Sequence, residues 1–132
     1  MRCFADTSAL IALLNADDEH HARARARWQR LLTTDASMIT SNYVILETFI
    51  LAQHRLGMQA ARDFNDAVVP VLNTAWITEE VHNTAAASLI ISGKRNLSLV
   101  DCTSFEICRR LGIENAFAYD RHFRDQGFKL IN

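Results

Sequence analysis

Four carboxylates stand out by where they fall. Asp6 follows a short apolar run, Arg2-Cys3-Phe4-Ala5. Glu47 lies inside an apolar stretch from Asn42 to Leu56. Asp101 comes three residues after Ser98 and opens Asp101-Cys102-Thr103-Ser104-Phe105. Asp120 closes Asn115-Ala116-Phe117-Ala118-Tyr119. Brought together, such acids repel, and some stay protonated unless a cation joins them. An all-oxygen set suits a hard divalent ion, Mg²⁺ or Mn²⁺, rather than Zn²⁺. An ion held in this way binds a phosphate oxygen, activates a water and stabilises the leaving oxygen of an in-line displacement. The chemistry implied is phosphodiester hydrolysis. Each acid also has a local reading. Asp6, Asp101 and Asp120 are capable helix caps, and Ser98-x-x-Asp101 fits a capping box. Glu47 has Tyr43, Val44, Ile50 and Leu51 as neighbours three and four positions away. An unpaired acid is costly to bury amid that much apolar surface, so Glu47 either sits at an exposed edge or faces a cavity with a cation.

The elements that must position these acids alternate between strand and helix. Arg2–Ala5 reads as a buried strand, followed by a helix over Ala9–Leu14 for which Asp6, Thr7 and Ser8 are all N-cap candidates. A second helix runs from about His21 to Leu32, with Arg23, Arg27 and Arg30 on one face by their spacing. That face is either a solvated surface or a rim for phosphates. Met38-Ile39-Thr40 is a second strand, and Asn42–Leu56 a helix closed by Gly57. Another helix covers about Ala60 to Val68 and ends at Pro70, and Val71-Leu72 begins a strand toward Trp76. Thr78 caps a helix that reaches Ser92. The helix opened by Asp101 ends at Leu111, before Gly112. Asn115–Tyr119 is a strand, and Gly127–Ile131 holds a last edge strand. This order implies an α/β domain with a mostly parallel central sheet flanked by helices, in which ligands bind beyond the carboxyl ends of the strands. Asp6 and Asp120 both follow strands and should emerge on that edge.

Composition narrows the class. The chain has 132 residues, 49% of them hydrophobic, with a single proline, so one domain over 1–132 with a substantial core is expected. The first residues lack the apolar run of a secretory leader, and no stretch is long enough to span a bilayer. Cys3, Cys102 and Cys108 are an odd count without framework spacing, which suggests reduced thiols in a cytoplasmic protein. Net charge is −1, so no global basic signal for nucleic acid exists. The same −1 includes the four acids, and the remainder of the chain carries +3. Arg23, Arg27, Arg30, Lys94, Arg95, Arg109, Arg110 and Arg121 can supply local basic surface, whose contacts to a polyanion would weaken with salt. There is no run of exposed aromatics that reads as a base-stacking platform.

Four motifs carry a family resemblance over nearly the whole chain. They are Phe4-Ala5-Asp6-Thr7-Ser8-Ala9-Leu10, Asn42-Tyr43-Val44-Ile45-Leu46-Glu47-Thr48, Leu97-Ser98-Leu99-Val100-Asp101-Cys102-Thr103-Ser104-Phe105, and Ala118-Tyr119-Asp120-Arg121-His122-Phe123 followed by Gly127-Phe128. Each is short, but all four in this order and spacing resemble a PIN-domain ribonuclease, and within that group a VapC-type toxin of a toxin–antitoxin pair. The resemblance implies a single PIN-like domain and a Mg²⁺-dependent endoribonuclease, with Mn²⁺ as a substitute ion. Asp6, Glu47, Asp101 and Asp120 form the implied acidic site. Asp6 and Asp101 are its metal ligands, and Glu47 and Asp120 act directly or through metal-bound water. Thr7 and Ser104 would hydrogen-bond near the metal or phosphate. Some members of the family carry a further acid two positions after the fourth. Here that position is His122, which either touches substrate or is a lone exposed histidine. The implied partners are an RNA substrate (tRNA, rRNA or mRNA), a VapB-type antitoxin whose tail lies in a groove and places a basic side chain into the site, and a second copy docked through the early helices.

Other residues take plain readings. Cys102 fills core, and Cys3 is inert in its strand. Trp28 and Trp76 are packing residues. His20-His21 with Asp17 lacks a complete transition-metal ligand set. A housekeeping PIN nuclease, and a non-catalytic RNA- or partner-binding module on the same fold, are the alternative functions. A haloacid-dehalogenase-like phosphatase needs a second Asp two positions after Asp6, where this chain has Ser8.

Overall fold

A computed structural model describes all 132 residues. In chain order its elements are β1 (Arg2–Ala5), α1 (Thr7–Leu14), α2 (His21–Thr33), β2 (Ser37–Ser41), α3 (Asn42–Leu51), α4 (Met58–Asp63), β3 (Asn73–Ala75), α5 (Glu79–Ser92), α6 (Leu99–Leu111), β4 (Asn115–Phe117), α7 (His122–Asp125) and β5 (Lys129–Leu130). The strands form one sheet in the order β3-β2-β1-β4-β5, and every pairing is parallel. Parallel sheets are covered on both faces, which is why Cys3, Phe4 and Ala5 are all fully buried rather than alternating. No helix is long and apolar enough to cross a membrane.

The chain order reverses direction across the sheet between β1 and β4. Crevices at such a switch point, beyond the carboxyl ends of the strands, are where open α/β sheets hold ligands. The junction is closed by the Asp6 N–H, which donates to the Phe117 carbonyl at 3.0 Å. Beneath it lies an aromatic core. Phe123 is fully buried and packs against Phe4, Phe105 and Phe128 with ring centroids 6.0, 5.0 and 5.7 Å away. Burial of Phe123 fixes the short helix α7, and with it the direction of its neighbour His122.

Boundaries differ from the sequence reading where helices change pitch. The Asn42–Leu56 helix is α-helical to Leu51 and then widens into a π turn over Ala52–Leu56, closed by Gly57 at φ 99°. The Gly57 N–H accordingly donates five residues back, to the Ala52 carbonyl. α4 also passes into a π turn, Phe64–Val68, and Pro70 sits inside a 3₁₀ turn, Val69–Val71, rather than after the helix. β4 ends at Phe117, two residues short of Tyr119. Trp28 is core, but Trp76 is 73% exposed and is not a packing residue. It directly follows the three-residue edge strand β3, which leaves its indole without an opposing layer.

Candidate active site

Asp6 is the N-cap of α1. Its Oδ2 accepts the Ser8 backbone N–H at 3.1 Å and the Ser8 hydroxyl at 2.6 Å. The same Ser8 Oγ accepts the backbone N–H groups of Tyr119 at 3.0 Å and Asp120 at 3.3 Å. One hydroxyl therefore ties the end of β1 to the segment after β4. Burial pushes the Asp6 carboxyl up to about 7, the Ser8 bonds oppose this, and the nearby Asp101 and Asp120 carboxylates add to it. Three carboxyl groups thus converge, and the strand-end argument anticipated this for Asp6 and Asp120.

Asp101 caps its helix and also stands in the acidic cluster. Its N–H donates to Ser98 Oγ at 3.0 Å, and its Oδ2 accepts the Ser98 N–H at 3.3 Å, a complete capping box at the start of α6. That same Oδ2 lies 3.3 Å from His122 Nδ1. Asp120 accepts the His122 backbone N–H at 2.9 Å and places Oδ1 3.1 Å from Nδ1. His122 is therefore not a lone exposed histidine: its side chain is 16% exposed and wedged between two acids. Neither contact has the alignment of a hydrogen bond, so Nδ1 is buried without a hydrogen-bond partner.

The other expected residues lie further out. Glu47 is half-buried on α3 and lines an apolar groove of about 320 Å³ with Tyr43, Leu46, Ile50, Leu51 and Val100. It adjoins the acidic cluster through Val100, the residue before Asp101, and is not among the three side chains, Asp101, Asp120 and His122, that come together. Thr7 is buried, and its hydroxyl accepts one from Thr48 at 3.4 Å. Ser104 is fully buried and donates to the Val100 carbonyl at 2.9 Å within α6. Ser8 is the residue that sequence reasoning treated only as a cap. Its position two after the strand-ending Asp6 was the available signal.

The donor set fits a hard cation. Asp101, Asp120 and His122 each offer one ligand atom, all within 4.8 Å of one another. An unpartnered buried imidazole nitrogen beside two carboxylates, with a third carboxyl held high by burial, is relieved by a divalent ion. The carboxylate oxygens suit a hard divalent ion, and the imidazole nitrogen adds a softer donor.

Basic residues flank the acids selectively. Lys94 and Arg121 line a polar cleft beside His122, and Arg55 lines a groove on the side of Asp120. Two arginines expected to be free are engaged. Arg109 donates to Gln126 at 2.7 Å and covers the Phe105 and Phe128 rings, and Arg110 pairs with Glu106 and Glu80. Arg23 reaches Asn132. The two adjacent histidines diverge: His21 Nδ1 lies 2.9 Å from the Ala12 carbonyl, and His20 stacks on Tyr119.

The chain is similar to known proteins over nearly its whole length. Residues 3–129 match the PIN domain family. The chain is 35% identical over 126 residues to the 23S rRNA-specific endonuclease VapC20 of Mycobacterium tuberculosis, covering 95% of this chain and 94% of that one. The crystal structure of that protein, described as a sarcin–ricin loop cleaving toxin, superposes with a TM-score of 0.86 at 34% identity over 96% of this chain and 95% of its own. VapBC2 from Rickettsia felis, solved bound to a promoter DNA fragment, shares the fold with a TM-score of 0.71 at 11% identity, covering 100% of this chain and 98% of that one.

Proposed function

Since the chain belongs to the PIN domain family, we propose that it is a Mg²⁺-dependent endoribonuclease acting as the toxin of a toxin–antitoxin pair, with ribosomal 23S RNA as its substrate. The observation that carries the reading is the meeting of Asp101, Asp120 and His122 within 4.8 Å, beside buried Asp6, at the sheet's switch point. The 35% identity to a 23S rRNA-specific endonuclease, spread over 95% of the chain, supports the choice of RNA.

Asp6, Asp101, Asp120 and His122 would hold the ion, with Glu47 contributing from α3 through water, and Mn²⁺ substituting. The ion when bound supplies an activated water and neutralises charge on the phosphate. The protein does the rest. Lys94 and Arg121 on one side and Arg55 on the other bind backbone phosphates as the strand crosses the acids. Ser8 holds Asp6 and the Asp120 backbone in one arrangement, so both carboxyls stay aimed at the same point. Thr7, bonded to Thr48, and Ser104, bonded back to the Val100 carbonyl, are supporting residues near the acids.

The apolar groove along α3 ends at Glu47. It fits the tail of an antitoxin that lays apolar side chains over Leu46 and Ile50 and brings a basic one to the acids. A second copy of the chain is the proposed cover for Ile90 and Ile91, 78% and 85% exposed at the end of α5. Their exposure supports a contact through α5, alongside the early-helix contact that the family resemblance implies.

The experiment is cleavage of 23S rRNA in purified ribosomes, mapped by primer extension, with wild type and Asp101→Asn in Mg²⁺ and in EDTA. A cut made by wild type alone and abolished by EDTA is expected. Equal cutting by both proteins would remove the assignment of the acids.

A further inference from the structure

The groove on the Asp120 side of the acids contains a feature that the chemistry above does not use. Its volume is about 340 Å³, and its lining includes Thr7, Ser8, His20, Arg55, Tyr119 and Asp120. His20 and Tyr119 are stacked there, with ring centroids 4.3 Å apart and planes 7° from parallel. Tyr119 in turn meets Phe117 edge-on at 6.3 Å, and Phe117 stacks on Trp28 at 6.3 Å. An aromatic column thus rises from the core and ends on the imidazole of His20, whose side chain is 33% exposed.

The column is fixed relative to the acids. Tyr119 is the residue before Asp120, and the backbone N–H groups of both donate to Ser8 Oγ, which is bonded to Asp6. His20 is held from its own backbone, its N–H donating to Asp18 Oδ1 at 2.7 Å. The Glu19 carboxylate lies 3.4 Å from Nε2 of the ring and is itself 85% exposed. Arg55 shares the groove, and the Arg23 guanidinium lies 5.8 Å from the Tyr119 ring centroid. A flat ring backed by a second ring and lining a groove, beside an acidic site and two cations, is an arrangement by which proteins hold unstacked bases.

We propose that the His20–Tyr119 stack seats an unpaired nucleobase of the substrate, from a nucleotide next to the scissile phosphate, with Arg55 on that nucleotide's phosphate. This rests on the nuclease reading and narrows its substrate class. A base reaches such a ring only after leaving its own stack, so the RNA is a loop or a splayed strand at the cut and not a continuous duplex. Every base has a π face, so the seat selects an extruded nucleotide rather than a particular base.

The test uses the intact protein in Mg²⁺ and a synthetic stem–loop with the sarcin–ricin sequence of 23S rRNA. Loss of a base stack predicts that His20→Ala raises KM by roughly 5- to 100-fold with kcat little changed, and that His20→Phe returns it to within about threefold of wild type. An abasic nucleotide is then placed at each loop position in turn. At one position beside the cut it should cost wild type a similar factor, while His20→Ala loses nothing more on that RNA. An unchanged KM in His20→Ala, no rescue by His20→Phe, or losses that multiply would each overturn the inference. Absence of cleavage by wild type would instead remove the nuclease reading. The seat is then judged by binding, through quenching of 2-aminopurine placed in the loop. Quenching lost in His20→Ala and kept in His20→Phe sustains it, and equal quenching by all three proteins ends it.

Discussion

The Ser8 hydroxyl donates to Asp6 Oδ2 at 2.6 Å while accepting two backbone N–H groups from the segment after β4. Ser8→Ala leaves those two donors unpaired and frees the Asp6 carboxyl to turn. A stability loss of about 1–3 kcal/mol is expected, read by urea denaturation. Cleavage should fall further than stability does, because Asp6 and Asp120 lose their common anchor. A variant that cuts like wild type at a temperature where both are folded would show that the anchor does not matter.

Asp101 caps α6 and faces His122 with the same oxygen. The two roles separate by substitution. Asp101→Asn keeps an acceptor for the Ser98 N–H and should hold stability within about 1 kcal/mol of wild type, whereas Asp101→Ala should lose roughly 0.5–2 kcal/mol. Both should cut RNA at least about a hundredfold more slowly, since neither carries the charge. Melting curves beside cleavage rates make the comparison.

Without a divalent ion, the protein should lose stability as pH rises from about 4 to about 7. The folded Asp6 carboxyl is pushed up to about 7, above its ordinary 3.8, chiefly by burial. The folded state then holds this proton more tightly than the unfolded chain, so its stabilising effect is complete below the ordinary value. It is lost as pH climbs to the folded value and is constant beyond, with a ceiling of roughly 4 kcal/mol. Urea denaturation in EDTA at several pH values, with Asp6→Asn as the control lacking this component, measures it.

Mg²⁺ or Mn²⁺ should raise the melting temperature and flatten that pH dependence. An ion present at a hundred times its dissociation constant contributes about 2.7 kcal/mol to the native state. His122→Ala and Asp120→Asn should each lose most of the response in a thermal-shift titration. A full response in both variants would place the ion elsewhere.

The cysteines should be silent toward thiol reagents. Burial pushes the Cys3 and Cys108 thiols up to about 12, and Cys102, also raised, is 6% exposed. Titration with a chromogenic disulfide at pH 8 should show no fast phase in native protein and all thiols once urea unfolds it.

What could be read ahead of the structure follows a physical line. Asp6 after an apolar strand and Ser98-x-x-Asp101 before a helix are local patterns, and both elements form as their residues imply. The parallel sheet followed from the alternation of periods. The placement of His122 did not, because it depends on Phe123 finding Phe4, Phe105 and Phe128 across the fold. The His20–Tyr119 stack joins residues on different elements, so no search for a run of aromatics could find it. Trp76 misled for a related reason: burial depends on what lies opposite, and an edge strand of three residues puts little there.

The site draws Asp6 from one side of the β1–β4 seam and Asp120 and His122 from the other, more than a hundred positions later in the sequence. A chain made from its N-terminus has Asp6 and Asp101 in hand well before it has the other two. An RNA endonuclease whose acids are split in this way would be unarmed during most of its own translation, and would gain its full set only when β4 slides in beside β1.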